Sequence, residues 1–365
     1  MKGDRVLKII HCSDLHIDSK METNLSSVQA RKRKDELLLS FEKMVEYAKN
    51  NDVRAIIIAG DMFDTSRVRS ESKNRIKNII ETNIDIDFMY LPGNHDADNF
   101  IEQFDEVPKN LKLFSDNLIS YEYDNVVISG LKLTSINSKN FYQILNFDEN
   151  KFNILTLHGQ IANYSSKTDA EKISLTKLKN KNIDYLALGH IHNFVVDRLD
   201  KRGVYCYSGA LEPRGFDECG DKGFVLLEIE GKDLKYNFIP FSTRKFYYIQ
   251  FDISAYDDWF DIERKVLENL KEIDRKNVVK IELVGNYKLE LEKQTEILER
   301  KIRDEFYFGK VKDSSVLEIN KENYKNDLSL KGEFIRSVLA SDMDKELQNR
   351  IILMGLEALK EGEKL

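Results

Sequence analysis

The chain has 365 residues, of which 41% are hydrophobic and 33% charged, and its formal net charge is −7. Acidity on that scale argues against a globally basic nucleic-acid sheath, and the length allows two or three domains at roughly 150 residues each. Three cysteines with no CxxC pair argue against a disulfide scaffold or a thiolate zinc site, and four prolines argue against a Pro-rich linker. In chain order, Val6–Ile10 reads as a strand and Glu36–Lys49 as a helix, with Leu37, Phe41, Met44, Val45 and Ala48 at helical spacing. Val53–Ala59 is a strand, Arg75–Ile80 fits a helix, and Ile86–Leu91 is a strand ending in Pro92-Gly93. Further strands follow at Val126–Ser129, Phe152–Leu157, Ile183–Leu188, Val204–Tyr207 and Phe224–Ile229. This β-α alternation passing into a β-rich half predicts an α/β sandwich of sheets flanked by helices.

Beyond about Thr243 the texture changes to a small α+β pattern. It has strands at Lys245–Ile253, Val278–Val284 and Val311–Ile319, and helices at Asp257–Ile273 and Lys293–Phe306. A polar stretch then leads to a helix pair, Lys331–Ala340 and Lys345–Lys360. The expected division is therefore 1–243, 244–319 and 320–365. The N-terminal apolar run is too short for a signal peptide, and no stretch approaches the roughly 20 apolar residues of a membrane span. A cytoplasmic enzyme with no membrane contact is the expectation.

The chemistry concentrates in five short strings: Asp14-x-His16, Gly60-Asp61, Gly93-Asn94-His95-Asp96, His158-Gly159 and Gly189-His190-x-His192. Each follows an apolar strand, which places all five on loops at one edge of a sheet. Together they use five of the six histidines. In D-x-H and H-x-H, side chains two residues apart converge on one ion when the loop bends. Carboxylate and imidazole donors without thiolate suit Mn²⁺, Fe or Zn²⁺, and the Asn carbonyl favours Mn²⁺ over a structural Zn²⁺. Taken singly, each string also reads as an ordinary polar turn, so it is their ordered conjunction that argues for a metal centre.

That ordered set resembles the calcineurin-like metallophosphoesterase superfamily. The fuller strings His11-Cys12-Ser13-Asp14-Leu15-His16, Gly60-Asp61-Met62-Phe63-Asp64-Thr65 and Leu91–Asp96 resemble the nuclease subunit of SbcCD-type DNA repair complexes, the bacterial counterpart of the meiotic recombination eleven nuclease. The string Ser208–Glu218 looks most like the YhaO-type branch. The resemblance implies a four-layer αββα sandwich, a capping domain at 244–319 and an ATPase-binding helical tail at 320–365. It also implies two divalent ions. One would be held by Asp14, His16, His192 and a shared Asp61, the other by Asp61, Asn94, His158 and His190. His95 would contact the phosphate and protonate the leaving oxygen, with Asp64 orienting that imidazole, although some nucleases of this family carry His at the Asp64 position. The implied activity is Mn-dependent exo- and endonucleolytic cleavage of DNA by activated water, in double-strand-break repair with an SMC-like ABC ATPase (SbcC- or YhaN-type) and as a homodimer. Another phosphoesterase chemistry (a cyclic-nucleotide phosphodiesterase or phosphoprotein phosphatase) and a mainly structural DNA-tethering protein are the competing readings.

Candidate DNA contacts are the basic run Arg31, Lys32, Arg33 and Lys34, read as preceding a helix, together with Arg67, Arg69 and Arg214. Each is also readable as surface charge or loop anchoring. Among Phe246, Tyr247, Tyr248 and Phe251, strand alternation makes at least half core residues, leaving the rest to stack on bases. The apolar face of the tail helices fits either the ATPase or the chain's own preceding domain. His11 reads as a packed histidine and Cys12 as a small buried residue.

Overall fold

The computed structural model describes residues 6–21, 25–64, 68–93, 96, 100–104, 106–161, 172–319 and 321–362. Asn94, His95 and Arg67 lie outside the described residues. The chain divides into two compact units, 1–246 and 247–365.

The first unit is built on β1 (Leu7–Cys12), β2 (Ala55–Ala59) and β3 (Asp87–Leu91), paired in parallel, and two helices that cover them, α1 (Ser27–Asn50) and α2 (Ser70–Thr82). Strands Leu111–Leu113, Gly223–Glu230 and Asp233–Pro240 complete a six-stranded sheet. A second six-stranded sheet is centred on Phe152–His158 and Tyr185–Gly189, also parallel. Alternation along the strands sorts their side chains between layers. Ile9, Ile57, Met89 and Leu91 meet Ile128, Phe152, Ile154 and Ala187 in a core between the sheets. Ile10, Ile56, Ile58 and Phe88 face the other way, onto Phe41, Met44 and Ala48 of α1 and Ile76 and Ile80 of α2. The sandwich expected from the sequence is borne out. Its second outer layer differs in kind: Leu155, Leu157, Leu186 and Leu188 are covered, among the described residues, by short turns carrying Phe141, Tyr142 and Leu145 and by the four-residue helix Leu175–Leu178.

Helix α1 starts well before Glu36. Ser26 caps it, accepting from Gln29 N while the Gln29 side chain reaches back to the Ser26 backbone. The basic run 31–34 therefore lies inside the helix, which corrects its placement ahead of one. Arg33 is also not a surface cation: it is fully buried. Its guanidinium donates to Glu36 Oε2 at 2.5 Å and Pro213 O at 2.7 Å, with Glu212 at 3.4 Å. Arg244 pairs with the other face of Glu36 at 2.7 Å, and Ser40 and Thr243 N donate to Glu212. Two arginines and two glutamates thus neutralise one another beneath α1, and Arg33 is removed from the candidate DNA contacts. Arg31 and Lys32 remain exposed and Lys34 half-exposed.

His11 is packed as expected, fully buried with Nδ1 2.9 Å from the Tyr185 hydroxyl. Burial drives its pKa down to about 3 from 6.5. The folded state therefore resists a proton that the unfolded chain accepts, so stability is full above pH 6.5 and declines as pH falls towards 3. Between pH 7 and pH 5 this one residue removes roughly 2 kcal/mol. Urea unfolding at both pH values, compared with His11→Gln, should show that increment vanish in the variant; an unchanged acid slope would refute it.

The second unit carries the three-stranded sheet of Phe246–Asp252, Val278–Val284 and Phe308–Asp313. The helices Trp259–Asn269 and Thr295–Glu305 bury Ile262, Val266, Leu298 and Ile302 against Ile281 and Leu283. Phe246 and Phe251 are buried, whereas Tyr248 is exposed. The strand read at Val311–Ile319 is two pieces, Phe308–Asp313 and Val316–Leu317, broken at Ser314. The tail helices Leu330–Leu339 and Lys345–Gly362 bury Ile335, Val338 and Ile352 beside Tyr324, Leu289 and Ile319, and Asn349 Nδ2 donates to Leu317 O. Part of the apolar face is thus spent within this unit, while Leu347, Leu353 and Met354 stay exposed.

Candidate metal centre

The site lies at the C-terminal ends of the parallel strands of both sheets, where open α/β architectures place their ligands. Beyond β1 and β2 the two loops continue side by side: Asp14 N donates to Gly60 O, His16 N to Asp61 O and Ile17 N to Met62 O, each at about 3 Å. This brings Asp14, His16 and Asp61 together. From the other sheet, His158 Nδ1 lies 2.9 Å from Ala59 O, a contact across the seam, and Gly159 N donates to Gly189 O within that second sheet. His190 N donates to both Asp14 oxygens at 3.1 Å. Asp14, His16, Asp61 and His190 all have positive φ, between 43° and 99°. Non-glycine residues adopt this conformation at a cost that is commonly carried at functional sites.

Two groups of donors converge: Asp14, His16 and His192, and Asp14, Asp61 and His158, each with its ligating atoms within 4.8 Å of one another. His16 Nε2 and His192 Nε2 face each other at 3.2 Å. Asp14 Oδ1 is 3.9 and 3.6 Å from them, and Asp61 Oδ2 is 3.8 Å from His16 and 3.4 Å from His158. The groups at the outer ring nitrogens bias what these inner ones are. His192 Nδ1 lies 2.7 Å from Glu218 Oε1, and His16 Nδ1 is 3.1 Å from Asp64 Oδ1 in a bent approach. The Glu218 carboxylate at His192 Nδ1 favours a proton there and a lone pair at Nε2 turned inward, and at His16 the same sense is favoured by the charge of Asp64 rather than by a hydrogen bond. Lone pairs and carboxylates facing one another in a buried space demand a cation, so the residues present fit a divalent ion. Protons are the alternative occupants: burial lowers the proton affinity of His158, but Asp61 outweighs it and lifts the pKa to about 9. An ion entering here displaces protons.

The sequence-predicted residues divide accordingly. Asp14, His16, Asp61, His158 and His192 are brought together. His190 adjoins them through its backbone and by an edge-on ring contact with His158 at 5.5 Å. Asp64 engages His16 and Arg214, the latter at 2.8 Å, and the His16 contact above all holds its pKa down to about 2. Arg214 lies in the site but is spent on Asp64 and Glu218. Arg69 is tied to Asp18 at 2.6 Å and to Asp35, at the start of α2.

Three supporting residues receive no role from the sequence, although Asp96 and Glu218 close two of its motif strings. Glu218 holds His192. Lys222, almost fully buried, donates to His192 O at 2.8 Å and Asn193 Oδ1 at 2.6 Å. Asp96 accepts from Gly93 N and Phe63 N, both at 2.8 Å, closing the β3 loop on the β2 loop. Only the fold brings these partners together.

Glycines supply the clearance. A Cβ on Gly60 (φ +89°) would fall 2.1 Å from His158 Nδ1, and one on Gly93 would fall 2.2 Å from Asp61 Oδ1. Gly93→Ala is therefore expected to displace Asp61 and weaken divalent-metal binding about tenfold or more, with roughly 1–3 kcal/mol of destabilisation. Calorimetric Mn²⁺ titration beside urea unfolding checks this; wild-type affinity would refute it.

Comparison with known proteins agrees with the motifs. The sequence model of the calcineurin-like phosphoesterase family matches residues 7–194, more than half of the chain. The DNA double-strand break repair protein Mre11 of Sulfolobus acidocaldarius is 24% identical over 98% of this chain and 97% of its own length. The uncharacterized metallophosphoesterase YhaO of Bacillus subtilis is 27% identical, over 64% of this chain and 60% of the relative. The D component of the nuclease SbcCD of Staphylococcus epidermidis is 23% identical, over 64% of this chain and 69% of its own length. Among the described residues no helix is long and apolar enough to cross a membrane. Inward-facing imidazole and carboxylate donors at a parallel-strand edge, on a chain matched by the family across that whole edge, make this protein a member of the calcineurin-like phosphoesterase family and a metal-dependent phosphoesterase.

Proposed function

We propose that the chain is a Mn²⁺-dependent DNA nuclease that hydrolyses phosphodiesters in double-strand-break processing. The observation that carries the chemistry is the convergence of His16, His192, Asp14, Asp61 and His158 on one buried anionic space. DNA as substrate is supported by the likeness to Mre11, which spans nearly the whole of both chains, the second unit included. Divalent ions bound there supply Lewis acidity towards a phosphate oxygen and lower the pKa of an attacking water. Oxygen and imidazole donors without thiolate suit Mn²⁺, with Fe or Zn²⁺ as alternatives.

In this reading Asp14, His16, His192 and Asp61 hold one ion, and Asp61, Asn94, His158 and His190 the other. Asp64 and Glu218 keep the His16 and His192 rings turned inward. His95 protonates the leaving oxygen, a step an imidazole performs near pH 7. Asp64, being committed to His16 and Arg214, orients a ligand ring in this scheme. Of the basic candidates, Arg31, Lys32, Lys34 and Arg67 remain proposed phosphate contacts. Residues 244–319 are proposed as a DNA-orienting cap. The exposed Leu347, Leu353 and Met354 row is proposed as the seat of an SMC-like ATPase, in a cytoplasmic assembly with a second copy of the chain.

The test is a Mn²⁺ assay panel of linear duplex DNA, hairpin DNA, a 2′,3′-cyclic nucleotide and a phosphopeptide. DNA cleavage abolished by chelation is expected. Turnover of the cyclic nucleotide or phosphopeptide alone would favour another phosphoesterase chemistry, and inertness with ions bound would favour a tethering protein.

A further inference from the structure

The supports behind the candidate ligands are unequal. His192 Nδ1 rests on a carboxylate oxygen of Glu218 at 2.7 Å, and His16 Nδ1 lies 3.1 Å from that of Asp64. These two carboxylates belong to distant segments, and one guanidinium joins them. Arg214 Nη1 donates to Asp64 Oδ1 at 2.8 Å, its Nη2 and Nε to Glu218 Oε1 at 3.0 and 3.2 Å, and its backbone N to Glu218 Oε2 at 2.9 Å. Both oxygens of Glu218 are thereby fixed, and Glu218 N closes the turn on Gly215 O. His158 rests differently, its Nδ1 on the neutral carbonyl of Ala59 at 2.9 Å.

A carboxylate behind an imidazole is a stronger acceptor than a carbonyl. It raises the electron density at the opposite nitrogen and locks the ring, and loss of such a support typically costs 10- to 100-fold in metal affinity. In the Asp14–His16–His192 group, His192 has this backing as a hydrogen bond to Glu218, and His16 has the charge of Asp64 at 3.1 Å behind its ring. We propose that Glu218 and Asp64, cross-linked by Arg214, make that group the tighter of the two ion positions, so that the protein loads its ions in a fixed order. This rests on the two-ion reading above. Glu218, Asp64 and Arg214 are positioning residues in this scheme: they act on the ligand rings and leave the substrate to others.

The experiment is Mn²⁺ titration of the full chain by calorimetry and electron paramagnetic resonance. The wild-type protein should take up two ions in two resolved steps. Glu218→Gln should weaken the first step about 10- to 100-fold and leave the second in place, so that the steps merge. Asp64→Asn should do the same through His16, which keeps the test open if one variant folds poorly. A Glu218→Gln protein with both steps unchanged, or with only the second weakened, would overturn the proposal. A wild-type chain that takes up no second ion would instead defeat the two-ion reading.

Discussion

Asp61→Asn is expected to lower phosphodiester hydrolysis by about 10³-fold while leaving the protein folded. Asp61 is the one carboxylate, among the described residues, within 4 Å of imidazole nitrogens on both His16, at 3.8 Å, and His158, at 3.4 Å. An amide there removes the negative charge both neighbours face and offers a much poorer ligand. The backbone duties survive: Asp61 O still accepts from His16 N, and φ of 53° is a conformation asparagine tolerates. Metal content, hydrolysis of a chromogenic phosphodiester and urea unfolding separate the effects. Turnover within tenfold of wild type would show that Asp61 is not a shared ligand.

Arg33→Ala carries the largest expected effect on stability, about 3–5 kcal/mol. The quartet Arg33, Arg244, Glu36 and Glu212 is balanced in charge and buried. Removing one cation strands a carboxylate away from water, whereas removing a charge of each sign does not. Arg33→Met with Glu212→Gln should therefore recover more than half of the loss. Arg31→Ala, two residues away and exposed, should change stability by less than about 0.5 kcal/mol. Chemical denaturation of the four proteins decides the matter; a cost below about 1 kcal/mol for Arg33→Ala would mean that its charge is solvated.

The strands around the site are legible in the sequence because both faces of each are buried, giving the continuous apolar runs at Ala55–Ala59 and Phe152–Leu157. The ligand-bearing strings follow those runs directly, so their place at the sheet edge is legible too. The basic run of α1 misleads when charge is weighed ahead of helical phase. Arg33, Leu37 and Phe41 fall four residues apart on one stripe, and the capping pair Ser26 and Gln29 marks the start. Both signals are present in the sequence. Asp96 and Glu218 stand within motif strings and Lys222 does not, but the partners of all three are illegible, since only the packed loops bring them together. The short outer layer around Phe141 and Leu178 has, among the described residues, no amphipathic helix long enough to register.

The candidate ligands are divided across the seam of the sandwich, Asp14, His16 and Asp61 on one sheet and His158 and His192 on the other. Ions bound there would rivet the two sheets at one rim, much as a hinge pin joins two plates. Cohesion of the halves then depends on how fully that rim is loaded, so chelation should lower the melting temperature by mass action even in a chain that can no longer cut. Thermal denaturation thus becomes a gauge of ion occupancy that needs no substrate.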